Sequence, residues 1–352
     1  MKSSEVSDEQ TSSSGDVTAS LTIQTEDRTV ELEELNTIFG PQLDSGVGAK
    51  VTEEERKIYD LFVPADIARL IQNESDQSIL DCINDHVYKI KNKYDPENSF
   101  RILFLYDTLN SITKLHADKI YQSLVGSDCK DIVLLLRSTG GRVEAAYLIS
   151  KLCNRYKKNS FKVVIPSEAK SAATLLALGA DEIHMGALSE LGPIDPQVKG
   201  LPILSVSHAL EKIVSLADRY PDASDMLSSY LNKNLDIRTL GYFDRVSESA
   251  VQYADRLLRG KNITSNKTSI ELANHFTNHY KEHGFVIDVD EAKELLGDGI
   301  VNVDSPIYKM CGDIHSFLVS FDLCFRLKRE NEQKKVIAVG SRCEIVEDAF
   351  DD

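Results

Sequence analysis

Between Phe100 and Met185 the chain alternates short, dense apolar runs with helical patterns: "FRILFLYD" (100–107), "DIVLLLR" (131–137), "FKVVI" (161–165) and "DEIHM" (181–185). The intervening helices are read over Ile112–Leu124, Glu144–Tyr156 and Ser171–Ala180. Runs this apolar suit strands buried on both faces, and strand–helix alternation implies a parallel sheet with right-handed crossovers. The expected class is therefore α/β. In such sheets ligands gather at the carboxyl ends of the strands, and two features fall there: the turn "STGG" (138–141) and Ser171.

The flanking sequence sets the expected domains. Residues 1–50 hold ten acids against three bases (Lys2, Arg28 and Lys50) and are expected to be disordered. Residues 51–98 read as a helical cap, one helix from Thr52 interrupted by Pro64 and a second from Asp66 to Lys93. The α/β domain is placed at 99–304. Within it, helices at about 205–283 are followed by a strand "FVI" after Gly284 and by a helix that Asp288 and Glu291 open as a capping box and Gly297 closes. Residues 305–352 read as an extension with a helix near 312–330, a strand "KVIAV" and an acidic tail.

A net charge of −16 disfavours nucleic acid and anionic lipid as partners, since both demand a basic footprint. Six cysteines, at 82, 129, 153, 311, 324 and 343, show no CxxC pair and read as reduced, mostly buried thiols. With no membrane-length apolar run and no signal-peptide pattern, the expected location is cytoplasmic.

Ser171 follows a strand and starts a helix of Ala and Leu. A serine there can cap the helix. It can equally be a nucleophile, because free N–H groups and the helix dipole favour an oxyanion at that place. Glycines close the preceding strand, and one crossover length separates Gly141 from Ser171. An oxyanion between the Gly141 and Ala172 N–H groups would thus be shared by two adjacent loops. The segment "AKSAA" lacks the glycines of a G-x-S-x-G elbow, which disfavours an α/β-hydrolase.

The segments "LRSTGGRVEAAYLI", "VVIPSEAKSAATLLALGADEIHM" and "SELGPIDPQ" resemble the ClpP-class serine peptidases. The resemblance covers about residues 100–304 and is nearest to the serine dehydrogenase proteinase family, a relative of signal peptide peptidase A. It implies a ClpP/crotonase-like fold with appended helices, Ser171 as nucleophile, Gly141 and Ala172 as oxyanion donors, a peptide or protein substrate, a homo-oligomer and no cofactor. Crotonase-type acyl-CoA chemistry, which uses such a hole without a serine, is a minor alternative.

The general base is left open. ClpP relatives place a histidine after the strand that follows the serine helix, where this chain offers Asp195, read either as an Asx-turn residue or as the group orienting a base. Relatives of signal peptide peptidase A use a lysine a few tens of residues after the serine, and Lys212 stands at about that distance on an amphipathic helix. His283, at the expected end of "SIELANHFTNHYKEH", is preferred to Lys212, because a lysine base needs burial to lower its pKa. His275, His279 and His283 share one face of that expected helix, but Phe276 stands where a zinc protease has glutamate, so no metal is expected. Gly140, Arg142 and Asp195 are the expected substrate-binding residues, and His184 reads as a core histidine. The rival reading is an inactive homologue that binds an extended peptide beside Gly140 and Gly141.

Overall fold

The computed structural model describes residues 23–25, 28–30, 59–126, 128, 130–195, 197–198, 201–234, 237–329 and 334–347. Most of the segment expected to be disordered lies outside them, as does the first part of the helix expected from Thr52 up to Pro64; its remainder, residues 59–63, is described and is not helical. The chain divides into two compact units, Met1–Asp66 and Ile67–Asp352. In the first, β1 (Ile23–Thr25) and β2 (Arg28–Val30) pair as an antiparallel hairpin.

Helix α1 (Pro64–Asn73) begins at the proline expected to interrupt a helix, because the fixed φ of proline suits a first helical position. The single helix expected from Asp66 to Lys93 is two. Ser75 takes an extended backbone, and its hydroxyl accepts the Ser78 N–H, so a fresh helix α2 (Asp76–Tyr94) starts there.

Then come β3 (Phe100–Tyr106), α3 (Lys114–Leu124), β4 (Asp131–Arg137), α4 (Val143–Tyr156), β5 (Phe161–Val164), the short β6 (Glu168–Ala169), α5 (Ala172–Leu178), β7 (Glu182–Met185) and the short β8 (Glu190–Leu191). A hairpin of β9 (Gln197–Val198) and β10 (Leu201–Pro202) leads into α6 (Ile203–Arg219), α7 (Ser224–Asn234) and α8 (Ile237–Leu258). The chain ends through α9 (Ser269–Asn274), α10 (Val289–Leu296), β11 (Val301–Val303), α11 (Pro306–Lys328), β12 (Lys334–Gly340) and β13 (Arg342–Glu347).

The main sheet has seven strands in the order β11-β7-β5-β4-β3-β12-β13. The five from β11 to β3 are parallel, as expected from the alternation. At its centre Ile132 to Leu136 are all buried, which explains their unbroken apolar run. The sheet is nevertheless mixed. β12 runs antiparallel to β3, and Gly340, at φ +75°, turns the chain straight back so that β13 pairs antiparallel with β12. The residues read as an acidic tail after 341 therefore include a strand.

Helices α3, α4 and α5 stack in sequence, with α8 against α4 and α5, while α11 packs on α2, β5, β7 and β12. A smaller parallel pair, β6 with β8, stands off the main sheet. Single bridges extend it, Ser138 to Ala169 on one side and Leu191 to Ile287 on the other. The strand expected over Phe285–Ile287 is only that last bridge.

One polar cluster ties the faces of this core. Asp181 accepts the Phe161 N–H at 2.8 Å, the Lys261 ammonium at 2.8 Å and the Lys157 ammonium. Burial opposes its charge, but these bonds hold the Asp181 carboxyl below its ordinary range. Its contribution to stability is thus complete above the unfolded-state value near 4 and is lost as the pH falls through the lower folded value. Replacing Asp181 by asparagine should cost about 1–2 kcal/mol at neutral pH, partial exposure limiting the loss. The difference from wild type should shrink in acid, as read by denaturant titration at several pH values.

Candidate active site

Chain geometry is over-determined up to the serine. The Ser138 N–H donates to the Glu168 carbonyl at 3.2 Å, and the Lys170 N–H returns to the Ser138 carbonyl at 3.0 Å. Ser171 then takes φ 52° and ψ −118° at the start of α5. Such a left-handed conformation costs a non-glycine residue about 1–3 kcal/mol and persists only where the surroundings enforce it. The hydroxyl does not cap the helix. Ser171 is half-exposed while every residue of α5 behind it is buried, so its side chain stands at the lip of a packed helix.

Gly140 and Gly141 close the other side. A Cβ on Gly140 would sit 2.8 Å from the Ser171 Cβ and 2.9 Å from the Lys170 carbonyl oxygen, so only glycine permits this approach. Gly141, at φ +147°, forms a parallel bridge with Ile112: the Ile112 N–H donates to the Gly140 carbonyl, and the Arg142 N–H to the Ile112 carbonyl, each at 2.8 Å. The Gly140 N–H is spent on the Ser138 hydroxyl. The N–H groups of Gly141 and Ala172 find no acceptor among the described residues. Two free amides on adjacent loops beside a hydroxyl form an arrangement able to hold a developing oxyanion. Arg142 is exposed at the start of α4.

Thr174 welds this place to the next loop. Its Oγ1 lies 2.7 Å from the Ala169 carbonyl oxygen and 2.8 Å from that of Gly192, and it accepts the Gly192 N–H at 3.1 Å. Sequence reading passed over Thr174; a lone hydroxyl inside an Ala/Leu helix was the available signal. The loop continues to Ile194, whose N–H donates to the Phe276 carbonyl at 2.7 Å, and to Asp195. Asp195 is 2% exposed. Its Oδ2 lies 3.6 Å from Nδ1 of His283, while its Oδ1 and that Nδ1 have no hydrogen-bond partner. A buried carboxylate demands a partner, and His283 is the cation-capable group beside it.

His283 does not end a helix. After Asn274 the chain widens into a π turn, His275–His279, and Tyr280 is extended, so His283 sits in a turn off the face expected to carry three histidines. His275 and His279 stack at 4.1 Å, and burial pulls the His275 imidazole down to about 4. Tyr280 donates to Glu291 at 2.6 Å, which leaves the Asp288–Glu291 capping box with only its Asp288 half, from the Glu291 N–H at 2.9 Å. Among the described residues no group of three or more His, Cys, Asp or Glu side chains is arranged to hold a metal ion.

Lys212 is exposed on α6, and no described hydrogen bond or ion pair joins it to Ser171 or Asp195. His184 is buried with Nδ1 2.7 Å from the Ser305 hydroxyl, and burial drives it down to about 4. Cys153, Cys311 and Cys343 are buried free thiols, while Cys82 and Cys324 are half-buried; Cys129 lies outside the described residues. No helix among the described residues is long and apolar enough to cross a membrane.

The sheet and the loops at its strand ends define an α/β protein with a serine set at a strand-to-helix turn. Residues 110–315 match the family described as ClpP-like SDH-type serine proteinase, and the chain belongs to that family. Two uncharacterized proteins of Methanocaldococcus jannaschii are similar to it. MJ0137 is 30% identical over 181 residues, 51% of this chain and 57% of the relative. MJ1495 is 26% identical over 179 residues, 51% and 55% respectively. The chain thus spans little more than half the length of these curated relatives. Among solved structures, the 1510-N membrane-bound stomatin-specific protease aligns over 71% of this chain and 93% of its own, with 15% identity and a TM-score of 0.37. ClpP1 from Listeria monocytogenes aligns over 62% and 98%, with 16% identity and the same TM-score.

Proposed function

We propose that the protein is a serine peptidase in which Ser171 attacks a peptide carbonyl. His283 takes the hydroxyl proton as the Oγ–C bond forms, then gives it to the departing amine; water repeats the cycle to release the acyl group. Because Asp195 faces Nδ1, the proton would be received at Nε2. The oxyanion would rest on the Gly141 and Ala172 N–H groups, with Gly140 and Arg142 beside the substrate. The observation that carries this reading is the enforced left-handed Ser171, free of a capping bond, between two unpaired amides.

A fluorophosphonate tests it directly, since the reagent labels only an activated hydroxyl. Labelling of wild type but not of Ser171→Ala is expected; an unlabelled, folded wild type favours the rival, a peptide-binding homologue without turnover. We further propose a closed homo-oligomer. Light scattering should then give a multiple of the 39.2 kDa chain mass, and a single-chain mass at micromolar concentration would count against it.

A further inference from the structure

The loop from β3 to α3 carries a buried polar clip that the reaction scheme does not use. Asp107, 2% exposed, directly follows β3, and its N–H donates to the Arg137 carbonyl at the end of β4 at 3.0 Å. Its Oδ1 accepts the Leu109 and Asn110 N–H groups, each at 2.9 Å. Its Oδ2 accepts the Asn110 side-chain amide at 3.0 Å and faces Nε2 of His116 at 3.3 Å. His116 is 8% exposed, and its Nδ1 accepts the Thr113 N–H at 3.1 Å. A backbone N–H can only donate, so Nδ1 is the bare nitrogen and Nε2 carries the hydrogen given to Asp107. Burial works against the Asp107 charge, but the bonds from His116, Asn110 and Leu109 hold its carboxyl below the ordinary range.

The clip fastens a short loop at both ends, Asp107 on one side and Thr113 on the other. Between them lies Ile112, the residue that bridges Gly141. That contact is close: a Cβ on Gly141 would fall 2.2 Å from the Ile112 nitrogen. The direction of the Gly141 N–H therefore follows the position of Ile112.

We propose that Asp107 and His116 are positioning residues for the oxyanion hole, pinning residues 107–113 so that Ile112 holds Gly141 with its N–H turned toward the hydroxyl of Ser171. This rests on the serine-peptidase reading above, and it assigns the accuracy of that site to a histidine–aspartate pair that never touches the substrate.

The test uses the full chain and a fluorophosphonate, whose phosphorus bonds to Oγ as fluoride leaves and the hydroxyl proton passes to the base. The labelling rate and the melting temperature are read together for His116→Glu, His116→Gln and Asp107→Asn. Glutamate at 116 keeps an acceptor for the Thr113 N–H, as in an ordinary capping box, but sets a carboxylate against Asp107. Glutamine keeps the acceptor and offers an amide hydrogen to Asp107. Asparagine at 107 is isosteric yet presents a donor to Nε2–H. Labelling slower by on the order of tenfold is expected for His116→Glu and Asp107→Asn in folded protein, a partial loss of what a whole oxyanion donor supplies. Recovery toward wild type is expected for His116→Gln. Wild-type rates in folded His116→Glu and Asp107→Asn would overturn the inference, as would a glutamine variant as slow as the glutamate one. A wild type that shows no Ser171-dependent labelling would instead overturn the peptidase reading, and the inference with it.

Discussion

Changing Ser171 to alanine is expected to abolish hydrolysis and to leave the fold intact or slightly more stable. Only the Oγ–C bond chemistry requires the hydroxyl, and the side chain makes no capping bond whose loss would weaken α5. The left-handed backbone strain stays, since alanine tolerates φ 52° no better than serine does. Removing a peptidase nucleophile commonly leaves activity lower by about 10⁶-fold. Turnover of an unstructured protein such as casein, followed beside the melting temperature, decides it. Wild-type turnover in the variant would show that the nucleophile lies elsewhere.

The second large effect is expected at His283. Alanine there should lower turnover by on the order of 10²–10⁴, the range a general base supplies. It should also strand the Asp195 carboxylate, which is 2% exposed and whose Oδ1 has no hydrogen-bond partner among the described residues, so a drop in melting temperature should accompany the loss. Lys212→Ala is the control. From an exposed position on α6, its replacement should leave both quantities near wild type. A collapse of turnover in Lys212→Ala with His283→Ala active would transfer the proton to the lysine.

How much of this was legible in the sequence depends on whether the signal was local. The parallel pairing of β3, β4, β5 and β7 follows from buried strands and helical crossovers, and the meeting of Gly140 with Ser171 follows from both lying at strand ends. The strand Arg342–Glu347 was hidden because three of its six residues, Arg342, Glu344 and Glu347, are charged and exposed or half-exposed, which composition reads as a tail. The break at Ser75 hid inside a continuous helical periodicity. The π turn at His275–His279 hid likewise, since widening the helix by one residue per turn leaves no compositional mark. The approach of Asp195 to His283 and the clip at Asp107 are tertiary facts. Residue types named the candidates, and only the packing of the 190–195 loop against Phe276 and Ile287 brings the first pair together.

The antiparallel seam between β3 and β12 has a consequence for the order of assembly. β3 is made early and can pair with β4 as soon as α3 is complete, whereas the strand that covers its other side arrives more than two hundred residues later, after β11 and α11. During synthesis the growing sheet therefore carries an open edge of Phe104, Leu105 and Tyr106, the register positions later taken by Gly340, Val339 and Ala338. Pairing across so long a stretch of chain is slow, and an open apolar edge invites another strand. Nascent chains should accordingly be most prone to aggregate in the interval before the last hairpin emerges, with β3 as the adhesive surface.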